Sequence, residues 1–171
     1  MKWIYGRQDW KTLERGLENC YLLTNGLGGF SSLTMTGAVA RNDHSVFMSC
    51  TKAPNHRINM IHRMKEELDI GESKYVLSTQ EFADGTKEEG YRYLTEFSFE
   101  ILPSWRYLIN GIEIEKEIVM AQGSNQIAVN YHLKNRGQKE AALCVTPFFQ
   151  FEPKGEDLKE DKIFSRQDQK I

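Results

Sequence analysis

The sequence predicts a mainly β fold, built from antiparallel strands in two facing sheets, with one short helix near the N-terminus. Apolar and polar residues alternate over most of Tyr21 to Phe151, which is typical of half-buried strands. The dipeptide Asn110-Gly111 separates two alternating runs, and both of its residues accept the positive φ angles of a tight hairpin. Further turn residues at 123–125 and 135–137 predict that the hairpin continues as a meander.

The helix is predicted over Asp9 to Asn19. Trp10, Leu13 and Leu17 have the spacing of one helical face, and Asp9 is available as the N-cap.

A half-buried strand is predicted at residues 57–64, "RINMIHRM". Strand alternation places Ile58, Met60, His62 and Met64 on its apolar face. A histidine on such a face is more often a hydrogen-bonded core residue than a ligand. The acidic run at 65–68, "KEEL", is interpreted as the end of this strand entering a turn.

Two segments lack a clear pattern, namely a polar loop from Ala83 to about Tyr93 and a charged tail from Pro153 onward. We therefore predict a β-sandwich domain over residues 1–152 and a weakly patterned tail, or the start of a truncated continuation, over residues 153–171.

Composition excludes several classes of function. The chain has 171 residues, 40% hydrophobic and 27% charged, with a net charge of -2. No basic stripe is present that would neutralise phosphates, so nucleic acid is not expected as a partner. No apolar run is long enough to span a bilayer, and the N-terminus lacks the apolar core of an export signal, so we expect a cytoplasmic protein without membrane contact.

Neither a metal nor a cofactor is expected. Cys20, Cys50 and Cys144 are far apart and lack C-x-x-C spacing, so they are interpreted as free buried thiols. His56 and His62 fall on one strand face but about 20 Å apart at the usual strand rise, which is too far to share a metal.

The most unusual stretch is "TNGLGGFSS" at Thr24 to Ser32, with glycines at 26, 28 and 29. It lacks the G-x-G-x-x-G register of a dinucleotide site, and strand residues follow it where a phosphate-binding helix would begin. Two interpretations remain. Either the glycines allow a close approach of backbones, or they open space for a ligand such as a sugar.

Several blocks, read in order, carry a resemblance to a known family. They are "LLTNGLGGFSSLTMTGAVARNDHSVF", "APNHRI", "EELDIG", "YVLST" and "FSFEILPSWRYLINGIEIEKEIVMAQGSNQIAVNYHL". Over roughly Asn19 to Pro147 the chain resembles the N-terminal domain of bacterial and archaeal glycogen debranching enzymes of the amylo-α-1,6-glucosidase type. The resemblance implies an antiparallel β-supersandwich, similar to galactose mutarotase and the glucoamylase N-domain. In the family this sandwich precedes an (α/α)6 barrel that carries the catalytic carboxylates of a glycoside hydrolase.

The chain departs from the family at residues 41–47. Family members resemble R-x-Y-H-G-L-L there, whereas this chain retains Arg41 and His44 but has no aromatic residue before the histidine and no glycine after it.

The function implied by the resemblance is that of a non-catalytic domain in glycogen catabolism, inactive by itself. It would support the barrel and line the site of an α-glucan such as glycogen or a limit dextrin, and it would self-associate weakly through the surface that the barrel covers. The substrate-adjacent candidates are Asn25, Gly28, Arg41, His44 and Trp105, and none of them is predicted to be catalytic. For Trp105 a core position is the alternative. The alternative function is a free-standing carbohydrate-binding module, which would display a row of exposed aromatic rings.

Overall fold

The computed structural model describes residues 1–53 and 55–159. Two helical turns lie near the N-terminus, a 3-10 helix at Arg7–Trp10 and the α-helix α1 at Leu13–Gly16, and a second 3-10 helix occupies Gly90–Arg92. The strands of the described residues are β1 (Trp3–Gly6), β2 (Leu23–Thr24), β3 (Phe30–Ser32), β4 (Ser45–Lys52), β5 (His56–Ile70), β6 (Ser73–Val76), β7 (Thr79–Glu81), β8 (Lys87–Glu89), β9 (Leu94–Phe99), β10 (Pro103–Ile109), β11 (Ile112–Met120), β12 (Ile127–Asn135) and β13 (Ala141–Pro153).

The strands form two large antiparallel sheets. One has the order β1-β9-β10-β11-β12, and the other has the order β13-β5-β4-β3-β2, with β6 also paired to β5. Strands β7 and β8 form a separate small hairpin. The prediction of a mainly antiparallel β fold with several sheets is therefore confirmed.

One hydrophobic core lies between the two large sheets. Trp105, Phe97 and Ile114 contribute from the five-stranded sheet, and Leu68 and Val46 contribute from the other. Each of these side chains is at most 2% exposed, so the sheets exclude water where they face each other.

The predicted N-terminal helix exists but is shorter and divided. The Asp9 carboxylate accepts a hydrogen bond from Gly6 N at 2.8 Å, ahead of the 3-10 helix, while Thr12 is the N-cap of α1. The helix ends at Gly16, where a side chain is excluded because an added Cβ would lie 2.7 Å from Thr36 Cγ2. Each of the two helical turns places one large side chain in the core, Trp10 and Leu13 respectively.

Residues 65–68 form the last part of β5, which ends at Ile70 and enters a turn at 71–72, so the prediction of a strand end entering a turn is confirmed. Within this part of β5, Glu66 is buried in an ion pair with Lys116 rather than solvated. Breaks in the β4 and β13 pairing register also disturb simple alternation along β5. As a result Asn59 and Arg63 are buried, whereas Ile58 and Met60, predicted to form the apolar face, are only half-buried.

Two further predictions are corrected. The segment 83–93 is not only a loop, since it contains β8 and the second 3-10 helix. The meander of β10, β11 and β12 is present, but the strand after it, β13, crosses to the other sheet and pairs with β5. The hairpin at Asn110-Gly111 is confirmed, with φ angles of 48° and 81°.

The cysteines are free, but only Cys50 is buried, and Cys20 and Cys144 are exposed, which corrects their predicted burial. Across the described ranges no helix has the length and apolar character needed to cross a membrane. Strand β13 ends at Pro153, next to the predicted domain boundary, and most of the predicted tail, residues 160–171, lies outside the described residues.

Candidate functional site

The glycine block forms a tight loop between β2 and β3, which we call the glycine loop (residues 25–29). The Asn25 side chain closes it, because Oδ1 accepts hydrogen bonds from Leu27 N at 2.9 Å and Gly29 N at 3.0 Å. Gly26 and Gly28 have φ angles of +78° and +95°, a conformation that side chains rarely adopt. The sequence thus places glycine where this turn requires it.

Asn25 also ties the glycine loop to the opposite sheet. Its Nδ2 donates to Ser124 O at 2.9 Å and to Asn125 Oδ1 at 3.1 Å, and its carbonyl accepts from Gly123 N at 2.8 Å. Asn125 in turn bonds both backbone groups of Cys50 on β4. Asn25 is 0% exposed, so its amide holds the β11–β12 connection against the glycine loop.

The third glycine is required by close packing. A Cβ at Gly29 would lie 2.7 Å from Asn25 Nδ2 and 3.0 Å from the Met48 carbonyl oxygen. The Gly28 carbonyl points elsewhere and accepts a hydrogen bond from Arg57 Nε at 2.7 Å. These contacts support the interpretation that backbones approach closely here, and they leave the loop rigid.

A cleft of about 430 Å3 opens beside the glycine loop, which we call the glycine-loop cleft. Phe30 forms part of its wall, with Arg57 Cζ 5.8 Å and Lys154 Nζ 5.6 Å from the ring centroid. Lys154 Nζ is also 3.8 Å from Asp43 Oδ2. Segment 20–22 completes the wall.

Arg41 lies outside this cleft but next to it. Its Nη2 donates to Glu18 O at 3.1 Å, and its Nη1 lies 3.5 Å from Cys20 Sγ, an atom of a residue that lines the cleft. The exposed guanidinium therefore fastens the turn at 41–44 to the segment ahead of β2.

His44 is a buried structural residue of that turn. It is 1% exposed, and its Nδ1 accepts a hydrogen bond from Ala40 N at 3.1 Å, which places the ring proton on Nε2. Burial lowers the pKa of His44, an effect that Asp43 opposes and Arg41 reinforces. The imidazole is therefore neutral at pH 7 and has no face open to solvent.

Trp105 lies in the core. It is 0% exposed, its Nε1 donates to Met35 O at 2.8 Å, and its ring contacts Tyr21 and Phe97 with centroid distances of 5.4 and 5.2 Å. Lys116 Nζ stands 5.2 Å from its ring centroid. All faces of the indole are thus occupied by this domain, as the core alternative describes.

The structure brings three of the five predicted residues to one end of the sandwich. Gly28 lines the glycine-loop cleft. Asn25 is hydrogen-bonded to the glycine loop beside the cleft, and Arg41 contacts Cys20, which lines the cleft. His44 anchors the neighbouring turn, with His44 N donating to Arg41 O at 2.9 Å. Trp105 belongs to the core instead.

Sequence reasoning missed Phe30, Arg57 and Lys154 as members of this cleft. Phe30 could have been found, because it directly follows the glycine block. Arg57 and Lys154 come from β5 and from the residue after β13, and no local pattern places either of them over the Phe30 ring.

The chemistry available in the cleft is that of binding. Two cations and an aromatic ring can contact polar ligands, and Asp43 is the one carboxylate among the described residues that line it. Glycoside hydrolysis uses two carboxyl groups flanking the scissile bond. Within the described ranges no group of three or more His, Cys, Asp and Glu side chains is arranged to hold a metal ion.

Comparison with known sequence families identifies the family of this chain. The sequence model of the family described as glycogen debranching enzyme N terminal matches residues 19–170. The chain belongs to this family. Comparisons with curated proteins and with solved structures found no match.

For this debranching-enzyme N-terminal domain, the matched region covers the strands from β2 to β13, the glycine loop and the glycine-loop cleft. Strand β1 and the first helical turns precede it, although β1 pairs with β9 and so is part of the five-stranded sheet.

Proposed function

We propose that this chain is the non-catalytic N-terminal domain of a glycogen debranching enzyme-like protein. It supports an (α/α)6 catalytic domain and contributes to the binding of an α-glucan, glycogen or limit dextrin, in the cytoplasm. The observation that carries the proposal is the family match over residues 19–170.

The geometry around the glycine loop supports a role in docking. The loop is fixed by the Asn25 network, yet Leu27 at its tip is 40% exposed, and Arg41, Asn42 and Asp43 beside it are also exposed. A fixed loop with an exposed apolar side chain suits the binding of a neighbouring domain, because little conformational entropy is lost on contact. We propose Gly28 and Arg41 as glucan-adjacent positions that Asn25 and His44 hold in place.

A carbohydrate-binding module is the second candidate, and one observation favours it. Phe148 and Phe149 on β13 are 42% and 50% exposed, and Phe82 nearby is 37% exposed. A carbohydrate-binding module would display such a cluster of exposed rings. The sequence pattern, in which Phe148 and Phe149 fall on alternating strand faces, predicts core or interface positions instead.

The first test concerns activity. We expect the purified chain to hydrolyse neither α-1,6- nor α-1,4-glucosidic bonds, because the acid pair of this chemistry is proposed to reside in the catalytic barrel. Glucose release from a limit dextrin is measured against a buffer blank. Release above the blank by the purified chain would overturn the proposal.

The second test concerns docking. The chain is co-expressed with the catalytic domain of a glycogen debranching enzyme, and co-elution is measured by size-exclusion chromatography. Leu27→Lys is expected to weaken co-elution, because it puts a charge at the tip of the glycine loop. Leu108→Lys is the matched control, since Leu108 is 46% exposed on β10, away from the loop. Equal co-elution of both variants would remove the glycine loop from the proposed interface.

A further inference from the structure

A groove separate from the glycine-loop cleft crosses the surface between β5, β13 and the β7–β8 hairpin. It consists of two adjoining recesses of about 470 and 490 Å3, which share His62, Phe82, Gln150 and Asp157. Each volume is in the range of small-molecule binding sites, about 300 to 1,000 Å3. Among the described residues, those that line the glycine-loop cleft and those that line this groove do not overlap.

Two exposed aromatic rings form one wall of the groove. Phe82 and Phe148 both contact Arg63, whose Cζ lies 5.1 Å and 4.9 Å from the two ring centroids. Arg63 is itself held by two-pronged hydrogen bonds to Glu88 at 3.0 to 3.1 Å, and Glu88 also accepts from Ser78 Oγ at 2.8 Å. A largely buried ion pair therefore fixes rings that stay partly open to solvent.

A fixed polar donor stands beside the rings. His62 Nδ1 accepts a hydrogen bond from Asn59 Nδ2 at 3.1 Å, which places the ring proton on Nε2. Asn59 is buried, and its amide is oriented by Ser45 Oγ at 2.8 Å and Gln150 Oε1 at 2.9 Å. Burial, reinforced by Arg63, lowers the pKa of His62, so the ring is a neutral donor at pH 7.

Acceptors face the same space. The carboxylates of Glu81 and Asp157 line the groove together with the Arg41 side chain. A ligand that satisfies this mixture needs hydroxyl groups, which both donate and accept, and an apolar face to lie against a phenylalanine ring. An anion would meet the carboxylates, and a purely apolar ligand would leave the His62 Nε2 proton without an acceptor.

We propose that this groove binds an α-linked glucose chain, with Phe82 and Phe148 against the sugar rings and His62 Nε2 donating to a hydroxyl group. The proposal depends on the glucan-binding part of the proposed function and adds a site that lies outside the glycine-loop cleft. A preformed wall and a fixed donor reduce the ordering cost of binding.

The test uses the whole 171-residue chain and maltoheptaose as the probe. Backbone amide shifts are followed by NMR during titration, and the Kd is measured by calorimetry. In the unmodified chain, we expect the largest changes in amide chemical shift at Phe82, His62 and residues 148–150. Phe148→Ala and His62→Ala are each expected to raise the Kd by about tenfold, the equivalent of about 1.4 kcal/mol.

Trp3→Ala is the matched control, because Trp3 is a 55% exposed aromatic residue on β1, outside the groove. Its Kd should stay within about twofold of the unmodified chain. No shifts at millimolar maltoheptaose would overturn the inference, whatever the variants do. Shifts confined to the glycine-loop cleft would also overturn it, while leaving glucan binding intact. Docking to the catalytic domain, measured separately, tests the proposed function independently of either result.

Discussion

At the scale of single residues, Gly29 shows how little room the glycine loop leaves. A Cβ there would meet Asn25 Nδ2 at 2.7 Å and the backbone oxygen of Met48 at 3.0 Å, and the latter cannot move without shifting β4. We expect Gly29→Ala to lower the free energy of unfolding by about 1 to 3 kcal/mol, measured by urea denaturation. Gly6→Ala is the control, since a Cβ there has no neighbour within 4 Å, and it should change stability by less than about 0.5 kcal/mol. Equal effects of the two substitutions would contradict the packing argument.

The buried His44 should make the free energy of unfolding depend on pH. Its ring must lose the hydrogen bond from Ala40 N in order to take a second proton at Nδ1, and burial disfavours the charge. The folded-state pKa is therefore below the ordinary value of 6.5, so the unfolded chain binds protons more readily than the folded chain. Stability should be fully present above about pH 6.5 and decrease as the pH falls below it.

The measurement compares urea unfolding at about pH 7.5 and about pH 5.5. His44→Asn keeps an acceptor near the position of Nδ1, so this variant should show a smaller loss between the two pH values than the unmodified chain. Some loss remains in both, because burial also lowers the pKa of His62. Parallel losses in the two proteins would show that His44 does not contribute.

At the scale of elements, a buried ion pair joins the two large sheets. Lys116 on β11 donates to Glu66 on β5, both side chains are at most 5% exposed, and Tyr131 on β12 donates to the same carboxylate oxygen at 2.7 Å. This carboxylate also raises the pKa of Tyr131, after the larger effect of burial, because a phenolate beside it would be repelled.

Removing one partner of this pair should cost more than removing both. Glu66→Gln leaves the Lys116 ammonium buried without its counter-charge, and we expect a loss of about 3 to 5 kcal/mol in urea denaturation. Adding Lys116→Met should recover part of that loss, while the glutamine oxygen still accepts from Tyr131. A double-mutant cycle measures this coupling, and strictly additive losses would argue against the pair as a unit.

The sequence predicts those elements whose backbone conformation depends only on neighbouring residues. Asn110-Gly111 predicts its hairpin because both residues accept positive φ, whatever lies around them. By contrast, the burial of Glu66 in "KEEL" depends on its ion pair with Lys116 on a distant strand, and strand alternation cannot show such a partner. The same limit applies to the site. The glycine loop could be predicted from its residues, whereas Arg57 and Lys154 reach Phe30 only through the pairing of β5 and β13.

At the scale of the whole molecule, the sandwich has an open side. Strand β12 is the edge of one sheet and β13 is the edge of the other, within the described residues. Ile127, Val129 and Tyr131 on β12, and Ala141 and Leu143 on β13, pack against the core but are only partly buried. Long edges with half-covered apolar side chains tend to pair with further strands.

We therefore expect the isolated chain to associate weakly with itself, and the net charge of -2 does little to oppose this. Sedimentation velocity should show a mass that increases with concentration. Val145→Lys places a charge on the half-buried face of β13 and should suppress the increase, because an inward charge at an edge opposes strand addition. Thr146→Lys is the matched control, since this neighbouring residue is exposed and should leave association unchanged. A single species at every concentration would contradict association altogether, and equal suppression by both lysines would attribute it to charge rather than to the open side.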